Sequence, residues 1–225
     1  VIRAVIFDLD DTLYCERDYV LSGFRAIAEQ LESAYGNPAA EMLAMMEEVQ
    51  DRDGRRAVLP AVLRSLPHSG FALSDLVRIY RQHVPAIQLY PGYRELLIEL
   101  RAVYELGIIT DGLPEVQHAK IKALALDDLI DQIICTWEYG AEKEKPHPFS
   151  FQLMLDRLGL KPSEAVFVGD NADKDCHGAR NMGMKCVRVQ NPVSSDDWET
   201  ADFVVDSLLQ LPILLSQVGE KYGEA

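Results

Sequence analysis

The chain is short of the features that mark secreted, membrane-spanning or nucleic-acid-binding proteins. Its 225 residues include only four cysteines, Cys15, Cys135, Cys176 and Cys186, with no C-x-x-C pair and no close Cys/His ligand spacing. A chain of this length builds its core without covalent staples, so reduced, buried thiols are expected. No apolar run approaches the roughly 20 residues needed to cross a bilayer. Positive charge is scarce as well: 22 Lys and Arg face 36 Asp and Glu, for a formal net charge of −14. Such a balance excludes a broad basic face for nucleic acid or anionic lipid, and no membrane partner is expected. The opening segment, Val1 to Ile6, lacks a charged n-region, a long apolar region and a cleavage site, so it reads as a strand, and the expected compartment is the cytoplasm. Scarce positive charge also constrains any phosphate ligand. Its countercharge must come from a metal, a few lysines and arginines, or helix N-termini.

What the chain does have is 48% hydrophobic residues in two kinds of pattern. Ala4-Val5-Ile6-Phe7 is continuously apolar and β-branched, as in a strand buried on both faces of a parallel sheet. The period then becomes helical. Val20, Phe24, Ile27, Ala28, Leu31 and Ala34 share one face, with Gly36-Asn37-Pro38 as the stop. Three more helical stripes follow, marked by Met42, Met46 and Val49, by Leu59, Val62 and Leu66, and by Leu73, Leu76 and Tyr80. From Tyr90 onward strands and helices alternate. Strands are expected over Leu106 to Thr110, Ile130 to Thr136, Ala165 to Gly169, Lys185 to Gln190 and Phe203 to Val205, the signature of a parallel sheet with crossover helices. The expected fold is an α/β, Rossmann-like core of residues 1–13 and 89–225, interrupted by an all-helical cap of residues 14–88. Ligands of open parallel sheets bind beyond the carboxyl ends of the strands, and the insertion leaves from one such end.

Four segments at strand ends carry chemistry. Phe7-Asp8-Leu9-Asp10-Asp11-Thr12 puts carboxylates at i and i+2 beyond a buried strand, on the same side in extended geometry. By itself this is an acidic loop in an acidic protein. Ile108-Ile109-Thr110-Asp111-Gly112 ends a second strand with a hydroxyl and a glycine, suited to donating hydrogen bonds to a phosphate oxygen, although Asp-Gly is also a common turn. Lys145-Pro146 precedes a helix start near Pro148, with Lys143 as the competing lysine. Val168-Gly169-Asp170-Asn171-Ala172-Asp173-Lys174-Asp175 supplies hard oxygen ligands of the kind Mg²⁺ prefers. For Asp173 the helix-capping role is the better reading.

Taken together and in order, these segments resemble the four motifs of the haloacid dehalogenase (HAD) superfamily. The form FDLDDT is similar to its phosphatase branch, and a helical insertion after the first motif is similar to members with a C1-type cap. TDGLPEVQHAK also resembles a TNGxxxxQxxK variant found among nucleotide and sugar phosphate phosphatases of this kind. Three positions depart from the pattern: Asp111 where Asn is frequent, His147 where Asp often follows Lys-Pro, and Lys174 where Asn is often found. The resemblance implies a phosphatase acting on a small phosphorylated metabolite of the sugar phosphate or nucleotide class. It makes Asp8 the nucleophile that forms an aspartyl-phosphate and Asp10 the acid and base. Thr110, Asp111 and Gly112 would contact the substrate phosphoryl and Lys145 would neutralise it. Asp8, Asp10 through its main-chain carbonyl, and Asp170 would hold Mg²⁺, with Asp175 and Asn171 behind them.

Such helpers answer a physical need. A carboxylate about 4 Å from a phosphate dianion meets repulsion of roughly 8 kcal/mol at an effective dielectric of about 20, which a divalent cation and a lysine offset. Asp10 is expected to have a raised pKa, so that it can donate a proton. The alternatives are a dehalogenase, which needs neither Asp10 nor a metal, a phosphomutase with the same groups, and a non-catalytic phosphate-binding or receiver-like protein. Within the insertion, Arg52, Arg55 and Arg56 form the densest basic spot. They are either a solvated loop paired with nearby acids or contacts to the non-reacting part of a substrate.

Overall fold

A computed structural model describes residues 1–66, 70–190 and 201–222. Among these, β1 (Ala4–Phe7), β2 (Glu105–Thr110), β3 (Gln132–Cys135), β4 (Ala165–Gly169), β5 (Lys185–Val189) and β6 (Phe203–Val205) form one sheet in the order β3-β2-β1-β4-β5-β6. Every strand pair is parallel. The helices are α1 (Glu16–Tyr35), α2 (Ala39–Asp53), α3 (Arg55–Ser65), α4 (Leu73–Gln82), α5 (Tyr93–Arg101), α6 (Pro114–Ala123), α7 (Pro148–Leu158), α8 (His177–Asn181) and α9 (Leu211–Tyr222). The chain divides into two compact units, Val1–Cys15 with Gln88–Ala225, and Glu16–Ile87.

The strand order is that of a Rossmann-like sheet. Its centre is β1, with Phe7 level with Ile108 of β2 and Val168 of β4. The carboxyl ends of these three strands therefore lie side by side, and each opens into one of the acidic or hydroxyl-bearing loops. β3 is shorter than expected from Ile130 to Thr136. The Asp131 carboxylate takes the Leu106 amide hydrogen at 2.9 Å before pairing begins, and Thr136 starts a 3₁₀ turn.

Alternation along the strands sends Ile6, Ile109 and Phe167 to one face, where they pack with Phe151, Met154 and Leu155 of α7 and Ala179 of α8. α7 begins with Pro148 at its first position, and the amide of Phe149 donates to His147 Nδ1 at 3.2 Å. It closes on Gly159 in the left-handed region, as the stripe and its glycine imply. His147, one of the three departures, thus does the capping work usual for an Asp at that place.

The expectation of reduced thiols holds for Cys15 and Cys135 but not for the other pair. Cys176 and Cys186 form a disulfide. Their pairing was hidden because they lie ten residues apart, on the turn after β4 and on β5, which only the sheet order makes neighbours.

Within the helical unit, Phe24, Ile27, Leu31, Met46, Val58, Val62 and Leu76 form a separate core. The basic spot pairs locally. Arg52 bonds Glu48 and Asp53, while Arg55 bonds Glu16 at 2.8 Å and the Tyr80 hydroxyl at 2.7 Å. These contacts fit the reading of arginines paired with nearby acids, although Arg52 lies in α2 and Arg55 opens α3, neither in a loop, and such exposed pairs contribute about 0–1 kcal/mol each.

The close packing of α7 against α8 depends on Gly178, where a Cβ would lie 2.5 Å from the Phe151 ring and 3.3 Å from the Pro146 backbone. Gly178→Ala is expected to cost about 1–3 kcal/mol by overpacking, read as a lower denaturant midpoint. An unchanged midpoint would show that Phe151 can move aside freely.

Candidate active site

Asp8 follows the last residue of β1, and its amide donates to the Val168 carbonyl at 2.9 Å, which fixes its backbone against β4. The chain then turns, with Leu13 N bonding the Leu9 carbonyl at 3.0 Å and Asp11 in the left-handed region that Asp tolerates. That turn brings the Thr12 hydroxyl to within 3.4 Å of Asp8 Oδ2. Opposite it, Lys145 Nζ lies 2.5 Å from Asp8 Oδ1 and 2.8 Å from Asp175 Oδ1. The Lys145 side chain is 3% exposed. Lys143 instead lies 5.6 Å over the Phe149 ring, so of the two it is Lys145 that meets Asp8. Burial works against the Lys145 ammonium, but Asp175, Asp8 and Asp111 outweigh it and hold the group charged. Burial pushes the Asp8 carboxyl well up, opposed by Lys145 and reinforced by Asp175, Asp170 and Asp10. With so many carboxylates around one lysine, Asp8 lacks enough positive charge to ionise easily.

Asp170, at the end of β4, is the likewise under-compensated partner. Burial, then the charges of Asp175 and Asp11, raise its carboxyl to about 7, with Lys145 opposing. Oxygens of Asp8, Asp170 and Asp175 all lie within 4.8 Å of one another. A hard oxygen donor set with excess negative charge fits a divalent cation such as Mg²⁺. Of the three, Asp175 is already engaged, its Oδ2 accepting from Asn171 N at 3.1 Å and its Oδ1 from Lys145. Gly169 is needed here because a Cβ would occupy the space of the Asp175 carboxylate. The Asn171 side chain accepts from the amides of Asp173 and Lys174 at 3.1 and 3.0 Å, so the helix-cap role falls to Asn171 and Asp173 stays exposed in the first turn. Below the loop, buried Arg188 of β5 donates from Nε to the Asp170 carbonyl at 3.1 Å.

Asp10 sits in a separate network. Lys120 Nζ bonds its two oxygens at 2.7 and 2.9 Å, Gln117 Nε2 bonds Oδ2 at 3.1 Å, and the Tyr14 hydroxyl donates to Oδ1. A raised pKa was expected, and the structure corrects it. Burial alone does push the carboxyl up, but the charge and hydrogen bonds of Lys120, with Tyr14 and Gln117, bring it below the ordinary value. The expectation counted neighbouring carboxylates and missed the cation.

Thr110 ends β2 with a buried hydroxyl that has no hydrogen-bond partner. A buried, unpaired hydroxyl at the carboxyl end of the strand next to β1 is costly unless something occupies the space in front of it. Asp111 was expected at the phosphoryl, but its carboxylate faces the protein. Oδ1 accepts from the Thr136 hydroxyl at 2.8 Å and from the Lys145 amide at 3.0 Å, and Oδ2 pairs with Lys174 at 3.3 Å. It tethers the loop that carries Lys145, and two of the unusual residues, Asp111 and Lys174, are partners. Gly112 takes φ 119°, and a Cβ there would meet the Gln117 amide at 3.0 Å. Sequence reasoning missed Tyr14, Lys120, Gln117 and Arg188. Only Gln117 and Lys120 had a signal, the Q-x-x-K that follows TDG.

Comparison with known proteins agrees with this geometry. A family model for haloacid dehalogenase-like hydrolases matches residues 5–189. The glyceraldehyde 3-phosphate phosphatase of Methanocaldococcus jannaschii is 30% identical over 221 residues, 94% of this chain and 96% of that protein. Among solved structures, a 2-haloacid dehalogenase from Pseudomonas syringae pv. Tomato DC3000 has a TM-score of 0.69 and 25% identity, covering 96% of this chain and 99% of that one. A HAD phosphatase from Thermococcus onnurineus has a TM-score of 0.63 and 27% identity, covering 95% and 98%. With a parallel sheet of this order, four motif loops at its carboxyl edge and a family model matched over most of its length, the chain belongs to the haloacid dehalogenase-like hydrolases.

Proposed function

We propose that the chain is a Mg²⁺-dependent phosphatase that hydrolyses a small phosphorylated metabolite, of the sugar phosphate or nucleotide class, through an aspartyl-phosphate on Asp8. The observation that carries this reading is the placement of the Asp8 carboxylate against buried Lys145, with the unpartnered Thr110 hydroxyl on the next strand and Asp10 two residues on. The similarity to a glyceraldehyde 3-phosphate phosphatase supports the substrate class and makes that triose phosphate the first compound to try.

In the first step an Asp8 oxygen attacks phosphorus and the ester oxygen leaves, taking a proton from Asp10, which must enter this step protonated although Lys120 favours its ionised form. Thr110 donates to a phosphoryl oxygen, and Lys145 offsets the charge that accumulates between Asp8 and the phosphoryl. In the second step a water attacks the same phosphorus, Asp10 accepts its proton, and the bond to Asp8 breaks to regenerate the carboxylate. Asp8, the Asp10 main-chain carbonyl and Asp170 would hold Mg²⁺, which when bound supplies countercharge for the phosphoryl group. Asp175 and Asp111 do not touch the reacting atoms in this scheme. They hold Lys145, by its ammonium and its amide respectively. A dehalogenase has no use for a clamped second acid or for the Asp8–Asp170–Asp175 set, and their presence favours the phosphatase.

Asp8→Asn should abolish phosphate release while leaving thermal unfolding nearly unchanged, because an amide of the same size is a poor nucleophile. More than a tenth of the wild-type kcat would remove Asp8 from the role. Lys145→Ala should lower kcat by about 10³-fold or more and destabilise the fold by about 3–5 kcal/mol, since it strands two carboxylates. Lys143→Ala should leave kcat within about twofold, a difference of only about 0.4 kcal/mol. The reverse ranking, measured by steady-state kinetics, would mean the wrong lysine has been named. Excess chelator should stop turnover, and Mg²⁺ affinity should depend on pH with a definite sign. A protonated Asp170 carboxyl cannot ligate the ion, and burial with the charges of Asp175 and Asp11 raises that carboxyl to about 7. Calorimetric affinity should therefore be about tenfold weaker at pH 6 than at pH 8. Equal affinities would exclude Asp170 from the metal site.

A further inference from the structure

The proposed chemistry needs Asp10 but does not account for the effort the fold makes to hold it. Lys120 is 3% exposed, and burying an ammonium without a partner is costly. Its ammonium reaches both Asp10 oxygens, at 2.7 and 2.9 Å, and lies 6.0 Å from the Tyr14 ring centre. Gln117, one turn earlier on α6, adds its amide to Oδ2, and its own Oε1 is buried without a hydrogen-bond partner. α6 starts at Pro114, one residue beyond Thr110-Asp111-Gly112, and the Gln117 amide also bonds the Asp111 carbonyl. The helix that grips Asp10 is thus fixed to the loop beside the phosphoryl site. For all these donors, the Asp10 side chain keeps 24% of its surface accessible. Donors on both oxygens fit the ionised group; when one oxygen carries a proton Lys120 still holds the other, and the open edge leaves the carboxyl accessible to whatever approaches it.

We propose that Lys120, assisted by Gln117, is a positioning residue that aims the Asp10 carboxyl at the leaving oxygen, and that this suits the enzyme to unactivated alkyl phosphate esters. The inference rests on the phosphatase reading above. Its physical basis is that an alkoxide is a poor leaving group unless it receives a proton as the P–O bond breaks, whereas a nitrophenolate leaves without one. General acid catalysis contributes about 10²- to 10⁴-fold where the proton is needed, and a small displacement of the donor forfeits much of it. Loss of the clamp should therefore be felt according to the leaving group rather than uniformly.

The test compares glyceraldehyde 3-phosphate, or the best alkyl phosphate found for the wild type, with p-nitrophenyl phosphate. The readout is kcat/KM, which reports steps only through departure of the first product and so ignores hydrolysis of the aspartyl-phosphate. Lys120→Met should lower kcat/KM for the alkyl ester by about 30- to 100-fold and for p-nitrophenyl phosphate by less than about threefold. Its affinity for inorganic phosphate, measured by calorimetry with Mg²⁺ present, should stay within about twofold of wild type. Gln117→Met, a milder change that keeps the lysine, should show the same selectivity at about fivefold and serves if Lys120→Met unfolds. An equal loss on both substrates, a loss matched by weaker phosphate binding, or no loss on the alkyl ester would each overturn the proposal. If the wild type releases phosphate from neither compound, the phosphatase reading fails first and takes this inference with it. If the wild type is active and only the selectivity is missing, the inference alone fails.

Discussion

Two carboxylates of a strongly acidic chain, Asp8 and Asp175, share the ammonium of Lys145 in a place with almost no access to water. Nearly everything else near the site can be read as a consequence. A buried lysine between two acids is stable only if each partner is held in place, because the desolvation cost is recovered only at good geometry. Asp8 is held by its amide bond to β4, Asp175 by the amide of Asn171 and the vacancy of a side chain at Gly169, and Lys145 by the bond of its own amide to Asp111. Two loops and a strand end are thereby fixed to one another. Burial, together with the excess of negative over positive charge once Asp170 is added, raises the carboxyls of Asp8 and Asp170, and that excess gives the cluster its fit to a divalent cation.

The same accounting explains why Asp10 behaves differently from Asp8 although only one residue separates them. Each acid has its own cation, Lys145 for one and Lys120 for the other, delivered from different helical or loop segments. Asp8 shares its lysine with Asp175 and is short of charge. Asp10 receives its lysine on both oxygens, together with a phenol and an amide, and is pulled in the opposite direction. Burial raises both aspartates of this short loop, and their different partners then send their acidities in opposite directions.

Departures from the family's usual residues turn out to be locally consistent. Asp111 and Lys174 come from separate loops and meet at 3.3 Å, so an added negative charge in one is answered by a positive charge in the other. His147 accepts the first free amide of α7 through Nδ1, a task an aspartate oxygen performs elsewhere. Neither change removes a group that the proposed reaction uses.

Periodicity in the sequence was enough to locate the strands and the four helices of the insertion, because a doubly buried strand must be continuously apolar and a surface helix must repeat near 3.6 residues. The family resemblance of the loops marked Asp8, Asp10, Thr110, Lys145, Asp170 and Asp175 as candidates, and a parallel sheet puts the carboxyl ends of β1, β2 and β4 in one place whatever the lengths between them. Choosing Lys145 over Lys143 was not decided by the lysines themselves; it needed the motif, and the structure shows the reason in their burial. Other features depended entirely on contacts across long separations. Lys120 lies 110 residues from Asp10 and reverses the pKa expected from neighbouring acids. Arg188 reaches the Asp170 carbonyl from the next strand, and Cys176 meets Cys186 through the pairing of β4 with β5. Local pattern determines which residues a strand or helix must bury. Only the folded sheet decides which charges become neighbours, and at these distances and burials the neighbours set the chemistry.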